Sequence, residues 1–177
     1  MVMVMVHGGL WEDMDAERFW VRPGVVDGLA AAGMEVLAPD RLVRPDSWAA
    51  EVRHLRAMLP DKSLTVLAGS NGCSVAARLA VDDPDRVARL VLAWPATAGD
   101  PRVDAWTREQ GAPEAMLVGE TLRGLTDTEL AGLSMPVAVL PAYKRKWDPI
   151  TLPEYIAFSD GASLRGFLSV FRAANAL

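Results

Sequence analysis

Residues 64–72, with the sequence LTVLAGSNG, decide the fold of this chain. Residues 64–68 are mostly apolar on consecutive positions, a pattern that predicts a strand buried on both faces, as in a parallel sheet. The string AGSNG at 68–72 follows that strand directly and precedes a predicted helix of small residues at 74–81. A strand, a tight turn and a helix thus follow one another, and this order is typical of an α/β unit.

Four more short apolar runs have the same character, at 2–6, 34–38, 89–93 and 136–140. Helix-like stretches separate the runs, among them 23–32, 47–59 and a short helix after the capping box Thr126-x-x-Glu129. We expect a three-layer α/β domain whose doubly wound parallel sheet has about five strands in the order 2-1-3-4-5. In such folds the functional site lies where the order reverses, here at the carboxyl ends of the first and third strands.

Composition narrows the classes of partner and chemistry. The 177 residues include 18 Lys and Arg against 23 Asp and Glu, for a formal net charge of −5. This balance argues against nucleic acid or an anionic membrane as the main partner. The single cysteine, Cys73, allows no intrachain disulfide and argues against a Cys-based zinc site, so we expect no metal and no cofactor. Because neither a targeting segment nor a membrane-length apolar run is visible, we expect a cytoplasmic protein; the sequence does not indicate its oligomeric state.

Ser70 is a candidate nucleophile because of the turn on which it lies. Strand and helix pass close together at such a turn, so the positions two before and two after the serine must be small, as Ala68 and Gly72 are. Ser70 would then have a strained backbone, and the N–H of Asn71 would face a developing oxyanion. Two alternatives stay open: a turn without function, and a phosphate-binding loop, although residues 69–72 include no Lys or Arg.

A second motif, HGGLW at 7–11, directly follows the first predicted strand. Together with the serine turn it makes the chain resemble the α/β-hydrolase superfamily, in which a His-Gly pair follows an early strand and a nearby N–H completes the oxyanion hole. Segments 36–41, 70–91 and 135–140 are similar to later parts of that core, so the resemblance covers about residues 1–141. It implies that Ser70 attacks an ester, thioester or related acyl substrate, while N–H groups of Asn71 and Gly9, or of Leu10, hold the oxyanion.

Three departures from the family pattern concern catalysis. The leading glycine of the serine turn is Ala68, the chain begins at what resembles the family's third strand, and no histidine follows His54, although the family's triad histidine lies in the last loop. The other histidine, His7, is at a position that is structural in the family. His54 faces away from the apolar side of its helix, so we expect it in solvent. We therefore expect a weak or inactive hydrolase, with a non-catalytic protein that binds a small apolar ligand or a partner as the alternative.

The triad acid has two candidates. Asp148 is the first acid after the fifth predicted strand, where the family usually has it, and Asp100 is the runner-up after the fourth. We divide the chain into a core at 1–141 and a tail at 142–177. Residues 1–141 contain no Ile or Tyr and a single Lys, so the tail is divergent or replaced, unless the shift is chance, and we expect an amphipathic helix at 162–176.

A lid-like insertion is expected at 95–134, between the fourth and fifth strands. Its large apolar residues either line an acyl pocket or, as we slightly prefer, pack the insertion on the sheet: Trp106, Met116, Leu117, Leu122 and Leu125. Cys73, at the start of the helix after Ser70, is expected to be buried and not to act as a nucleophile.

Overall fold

The structure, a computed structural model, describes residues 2–140 and the backbone of a strand at 156–158. The strands are β1 Val2–Val6, β2 Glu35–Leu37, β3 Leu64–Gly69, β4 Val87–Ala93, β5 Val137–Leu140 and β6 Ile156–Phe158. They form one sheet in the order β2-β1-β3-β4-β5-β6. Strands β1 to β5 are parallel, which confirms the predicted order 2-1-3-4-5.

The pairing of β1 with β3 positions the two sequence motifs. The two strands run in parallel register from Val2 opposite Leu64 to Val6 opposite Ala68. Both chains therefore leave the sheet at the same edge, and the loop after β1 emerges beside the turn after β3. This edge is where the sheet order reverses, as expected for a doubly wound fold.

Strand β6 is an addition that the sequence did not predict. It pairs antiparallel with β5, with Phe158 opposite Val137 and Ile156 opposite Val139. The amphipathic helix predicted at 162–176 lies outside the described residues, and so does Asp148.

Three helices begin and end within about two residues of the predicted stretches 23–32, 47–59 and 74–81, whereas the helix at Pro101–Glu109 had no predicted bounds. The Ser47 side chain caps the helix that begins at Trp48 by accepting the Ala50 N–H, and Thr126 and Glu129 form the predicted capping box before the helix that begins at Asp127. A π-helical turn covers Glu17–Val21 and a 3₁₀ turn covers Glu114–Met116. The α-helices are α1 Val25–Ala31, α2 Trp48–Met58, α3 Gly72–Asp82, α4 Pro101–Glu109 and α5 Asp127–Ala131.

Apolar side chains fill both faces of the sheet, as the consecutive apolar positions of the strands require. On one face, Val4 and Val66 belong to the main core, which includes residues of α2 and α3. On the other face, Met5 packs with Ala16 and Trp20, and residues of α1 border this smaller cluster. Helices on both faces of a parallel sheet make the three-layer α/β domain that the sequence predicted.

Gly72 is the point at which α3 comes closest to the sheet. A Cβ added there would collide with the carbonyl oxygen of His7 and would lie 2.7 Å from that of Val6. Both obstacles are backbone atoms at the end of β1, so a side chain cannot rotate out of the way. Ala68, two residues before Ser70, has a fully buried methyl group, which shows that only the second of the two small positions requires glycine.

We predict that Gly72→Ala lowers the free energy of unfolding by about 1–3 kcal/mol, because the added methyl forces α3 away from β1. Gly28→Ala is the matched control: Gly28 is exposed in α1, and an added Cβ there meets nothing within 4 Å. The control should raise stability by about 0.5–1 kcal/mol, since alanine favours the helix. Urea unfolding measures both changes, and equal effects of the two substitutions would contradict the close approach at Gly72.

Candidate active site

Ser70 lies on the turn between β3 and α3 in a left-handed backbone conformation, with φ of +52°. For a residue with a side chain this conformation costs about 1–2 kcal/mol, so its surroundings must hold it in place. The Ser70 N–H donates to the Ala93 carbonyl at 3.1 Å, and the Ser70 carbonyl accepts from the N–H groups of Cys73 at 3.1 Å and Ala96 at 3.3 Å. The strained turn that the sequence predicted is therefore present, and it is tied to the end of β4.

The loop after β1 lies directly against this turn. A Cβ added to Gly8 would come within 2.9 Å of the Ser70 Cβ, so little more than van der Waals distance separates the two segments. The Phe19 ring packs against both the loop and the turn. A Cβ built on Gly8 or on Gly69 would lie only 2.7 Å from an atom of this ring. The structure thus brings together the two motifs that the sequence singled out.

The backbone donors expected for an oxyanion hole occur in these two segments. Gly9 has a φ of +94°, a conformation that favours glycine. Within residues 2–140, no hydrogen bond occupies the N–H groups of Gly9, Leu10 or Asn71. Uncommitted backbone donors beside a serine are what an oxyanion hole needs. The role of these three groups stays a prediction.

A buried ion pair that the sequence did not predict lies behind the loop. Arg41 is 8% exposed and Glu51 is 2% exposed. The Arg41 Nη2 donates to both carboxylate oxygens of Glu51, at 3.0 and 2.8 Å, and Nε donates at 3.2 Å. Burial raises the pKa of the Glu51 carboxyl, and the charge of Arg41 opposes that rise. The other amino group of Arg41 reaches the backbone of the loop after β1.

His7 is buried, and both of its ring nitrogens are bonded to backbone groups. Its Nε2 accepts the N–H of Arg41 at 2.9 Å, so Nδ1 carries the proton and donates to the Gly8 carbonyl at 2.8 Å. Burial lowers the pKa of His7, with smaller opposing contributions from its hydrogen bond to Gly8 and from nearby carboxylates. A neutral imidazole with both nitrogens engaged holds the loop in place, and this agrees with the structural role that the resemblance implies.

His54 is partly exposed on α2, and its Nε2 lies 3.1 Å from the carbonyl oxygen of Asp40 in a hydrogen bond at the surface. Solvent reaches this side chain, as expected, but the sequence did not predict the contact with Asp40, because helical periodicity identifies the buried face of a helix and not a loop that crosses its flank. Both histidines of the chain therefore bond to backbone groups, and neither is described in contact with Ser70.

Of the two candidate acids, only Asp100 is among the described residues. Its carboxylate caps α4, with Oδ1 accepting the N–H groups of Arg102 at 2.9 Å and Val103 at 3.3 Å. The hydrogen bond from Val103 is the largest cause of a lowered pKa for this carboxyl. Asp100 thus has a helix-capping role in this structure, and its part in a triad, like that of Asp148, stays a prediction.

Arg123 is a second buried cation, 1% exposed, and it connects the insertion to the serine turn. Its Nη1 donates to the side-chain oxygen of Asn71 at 3.1 Å and to the Thr97 carbonyl at 3.0 Å, while Nη2 donates to Asp104 at 2.9 Å. One signal of this site is present in the sequence: Arg123 lies between Leu122 and Leu125, and a charge that is buried with such neighbours needs a partner. The serine turn itself contains no Lys or Arg. In the folded chain Arg123 contacts this turn, but its charge is paired with that of Asp104.

The apolar residues of the insertion mostly pack on the sheet, as we slightly preferred. Four of them lie in the main core and are at most 3% exposed, namely Met116, Leu117, Leu122 and Leu125. Trp106 is different, because 44% of it is exposed on α4. Cys73 is fully buried, as expected, and burial raises the pKa of its thiol. Residues 2–140 contain no cluster of three or more His, Cys, Asp or Glu side chains that could hold a metal ion.

Comparison with known structures gives the fold a wider context. MGS-MChE2, an alpha/beta hydrolase from the metagenome of sediments of the Mar Chica lagoon in Morocco, is 16% identical with a TM-score of 0.57, and the match covers 78% of this chain and 66% of that one. A probable hydrolytic enzyme from Pseudomonas aeruginosa is 27% identical with a TM-score of 0.47, over 58% of this chain and 35% of that one. The thioesterase domain of the curacin biosynthetic pathway is 23% identical with a TM-score of 0.46, over 60% and 41%.

The likeness to MGS-MChE2 shows that the described core has the α/β-hydrolase fold. This chain spans 35% of the Pseudomonas protein and 41% of the thioesterase domain, less than half the length of each. No protein-family model matches the sequence, and no curated protein matches it. Among the described residues, no helix combines the length and the apolar composition needed to cross a membrane.

We predict that His7 makes stability depend on pH between about 7.5 and 5.5. As the pH falls through the ordinary value of 6.5, unfolded His7 takes up a proton more readily than folded His7, whose pKa is lowered by burial. The free energy of unfolding should therefore decrease as the pH is lowered, by at most about 1.4 kcal/mol per pH unit for one proton. Urea unfolding across this range should show the slope in the wild type and in His54→Gln but not in His7→Gln. Equal slopes in the two variants would show that His7 is not held neutral.

Proposed function

We propose that this chain is a serine hydrolase-type protein for an ester, thioester or related acyl compound, with Ser70 as the nucleophile. One observation carries the proposal: Ser70 has a φ of +52° at the carboxyl end of β3, directly against the glycine loop after β1. Structure that maintains this strain at the carboxyl end of a strand is typical of functional sites. The fold shared with an alpha/beta hydrolase supports the same reaction class.

In the proposed reaction, the Ser70 Oγ adds to the acyl carbonyl carbon, and the carbonyl π electrons move onto its oxygen. The N–H groups of Asn71 and Gly9, with Leu10 as the alternative to Gly9, stabilise that oxyanion. The intermediate then expels the alcohol or thiol, which takes the proton lost by Ser70, and leaves an acyl-enzyme that water hydrolyses. Asp148, or Asp100 as runner-up, is the acid that the family pattern would assign to a triad.

The proton transfer is the weak step of this reaction. The chain contains only His7 and His54, and the described contacts of both are with backbone groups. Without a base, the serine hydroxyl is a poor nucleophile at neutral pH. Loss of a triad member generally lowers the rate by about 10⁴- to 10⁶-fold. We therefore propose that this 177-residue chain is a weak or inactive hydrolase.

The engagement of both histidines favours one alternative function. A chain with the α/β-hydrolase fold and no available base can serve as a non-catalytic protein that binds a small apolar ligand or a partner surface. Neither proposal involves a metal or a cofactor.

Covalent labelling separates the two functions. We predict that a fluorophosphonate ester modifies the protein slowly and at a single site. Without a base Ser70 reacts slowly, but the oxyanion hole stabilises the tetrahedral adduct at this serine over other serines. Intact-mass and peptide analysis should place the adduct on Ser70, and Ser70→Ala should abolish it. Absence of labelling, together with thermal stabilisation by a small apolar ligand, would support the binding protein instead.

We also predict that turnover of a p-nitrophenyl ester is far below the 10 per second that is about the median for enzymes. Release of p-nitrophenolate at pH 7.5 provides the measurement, with Ser70→Ala as the blank. Turnover near the ordinary rate would refute the proposed inactivity. His7→Ala and His54→Ala would then show whether either histidine is the base, and turnover that survived both would exclude a histidine base from this chain.

A further inference from the structure

We propose that Arg41, held in place by Glu51, is the positioning residue that turns the backbone N–H groups of the loop after β1 toward Ser70. The inference rests on the proposed function, because it concerns the oxyanion hole of that reaction. Arg41 lies 32 residues after Gly9, so no contiguous motif connects it to the loop.

Arg41 binds three consecutive carbonyl groups. Its Nη1 donates to the carbonyl oxygens of His7 at 3.0 Å, Gly8 at 3.1 Å and Gly9 at 2.9 Å. The backbone N–H of Arg41 adds a contact to His7 Nε2 at 2.9 Å. The carbonyl oxygens of residues 7 to 9 therefore face one guanidinium group.

Peptide geometry makes the opposite side of the loop a donor surface. In a planar trans peptide, the C=O of one residue and the N–H of the next point in opposite directions. Since the carbonyls of residues 7, 8 and 9 face Arg41, the N–H groups of Gly8, Gly9 and Leu10 face away from it. Successive N–H groups on one side of a loop form an anion-binding concavity. Two of the three are the groups that the sequence assigned to the oxyanion hole.

The loop needs such an external constraint because it contains Gly8 and Gly9. Glycine has wide conformational freedom, so the peptide planes around these two residues can flip at little cost when nothing holds them. An oxyanion hole accelerates a reaction only if its donors are oriented before the charge develops. The guanidinium on three carbonyls supplies that orientation, and His7 Nδ1 adds one further hydrogen bond, to the Gly8 carbonyl at 2.8 Å.

Glu51 keeps the guanidinium in place. Its two carboxylate oxygens accept three hydrogen bonds from Nε and Nη2 of Arg41, so the nitrogen left over, Nη1, is directed at the loop. Lysine could not take this place fully, because one ammonium group cannot present the same planar fork to a carboxylate and a row of carbonyls. Removal of Arg41 alone would leave Glu51 buried without a partner, so the test needs a variant that removes both charges.

The test measures the rate of fluorophosphonate labelling at Ser70 in the wild type and in the double variant Arg41→Met, Glu51→Leu. Replacing a buried ion pair with apolar residues of similar size often preserves the fold, which circular dichroism and thermal unfolding check. We expect a loss of about 100-fold or more, the size seen when one oxyanion donor is removed, and a smaller loss in Arg41→Lys. Arg86→Met is the matched control.

Arg86 suits this purpose because it also donates to two carbonyls, those of Leu59 at 2.9 Å and Pro60 at 2.8 Å, but at the amino end of the sheet. Its variant should label at the wild-type rate. A folded double variant that labels as fast as the wild type would overturn the role of Arg41.

A second measurement does not depend on the reactivity of Ser70. In a Ser70→Ala background, phenylphosphonate is titrated while the amide ¹H and ¹⁵N signals of residues 8–10 are followed. We expect these signals to shift on binding with Arg41 and Glu51 present, and the shifts to be lost in the double variant. No shift with the pair present, or equal shifts without it, would overturn the inference.

The two measurements together separate the inference from the proposed function. Phosphonate binding that requires Arg41, combined with no labelling of wild-type Ser70, would mean that the proposed function fails while Arg41 keeps its positioning role. If Ser70 is labelled at the same rate with and without Arg41, the proposed function stands and the positioning role of Arg41 fails.

Discussion

The close approach of α3 to the end of β1 is the constraint on which the rest of the site depends. At Gly72 the helix lies against the carbonyl groups of Val6 and His7 with no room for a methyl group. A chain that leaves β3 can reach that position within two residues only by a sharp turn, and Ser70 takes the left-handed conformation that the turn requires. The same approach brings the loop after β1 against Ser70. One contact between a helix and a strand thus determines the conformation of the serine and its neighbours.

Much of the fold could be predicted from the sequence, because its elements depend on local patterns. The five parallel strands are short apolar runs, and the starts of α2 and α5 are signalled by Ser47 and by the pair Thr126 and Glu129. The doubly wound rule then gives the strand order without any knowledge of contacts. Strand β6 was missed because its three residues carry no pattern of their own and are a strand only through pairing with β5.

The site was predictable to a smaller extent. Ser70 and the glycine loop form motifs that are contiguous in sequence, so both could be recognised before their proximity was known. The ion pairs Arg41–Glu51 and Arg123–Asp104 could not be recognised from sequence motifs. In each pair the arginine and its acidic partner lie on separate stretches of the chain, which the packing of the helices brings together. Charged residues are common on surfaces, and a sequence does not distinguish a solvated arginine from a buried one unless apolar neighbours flank it, as they do Arg123.

The contacts of Arg123 have a consequence for the modularity of this fold. An insertion between two strands is generally a segment that evolution or a protein engineer can exchange while leaving the sheet intact. Here one arginine of the insertion holds Asp104 of the same segment and also the side chain of Asn71, the residue that follows Ser70. A replacement for this insertion would therefore need its own hydrogen-bond donor for the side-chain oxygen of Asn71, or Asn71 would have to be substituted at the same time. Arg123 thus couples the insertion to the serine turn, although some 25 residues of chain, including the whole of β4, separate Asn71 from the start of the insertion.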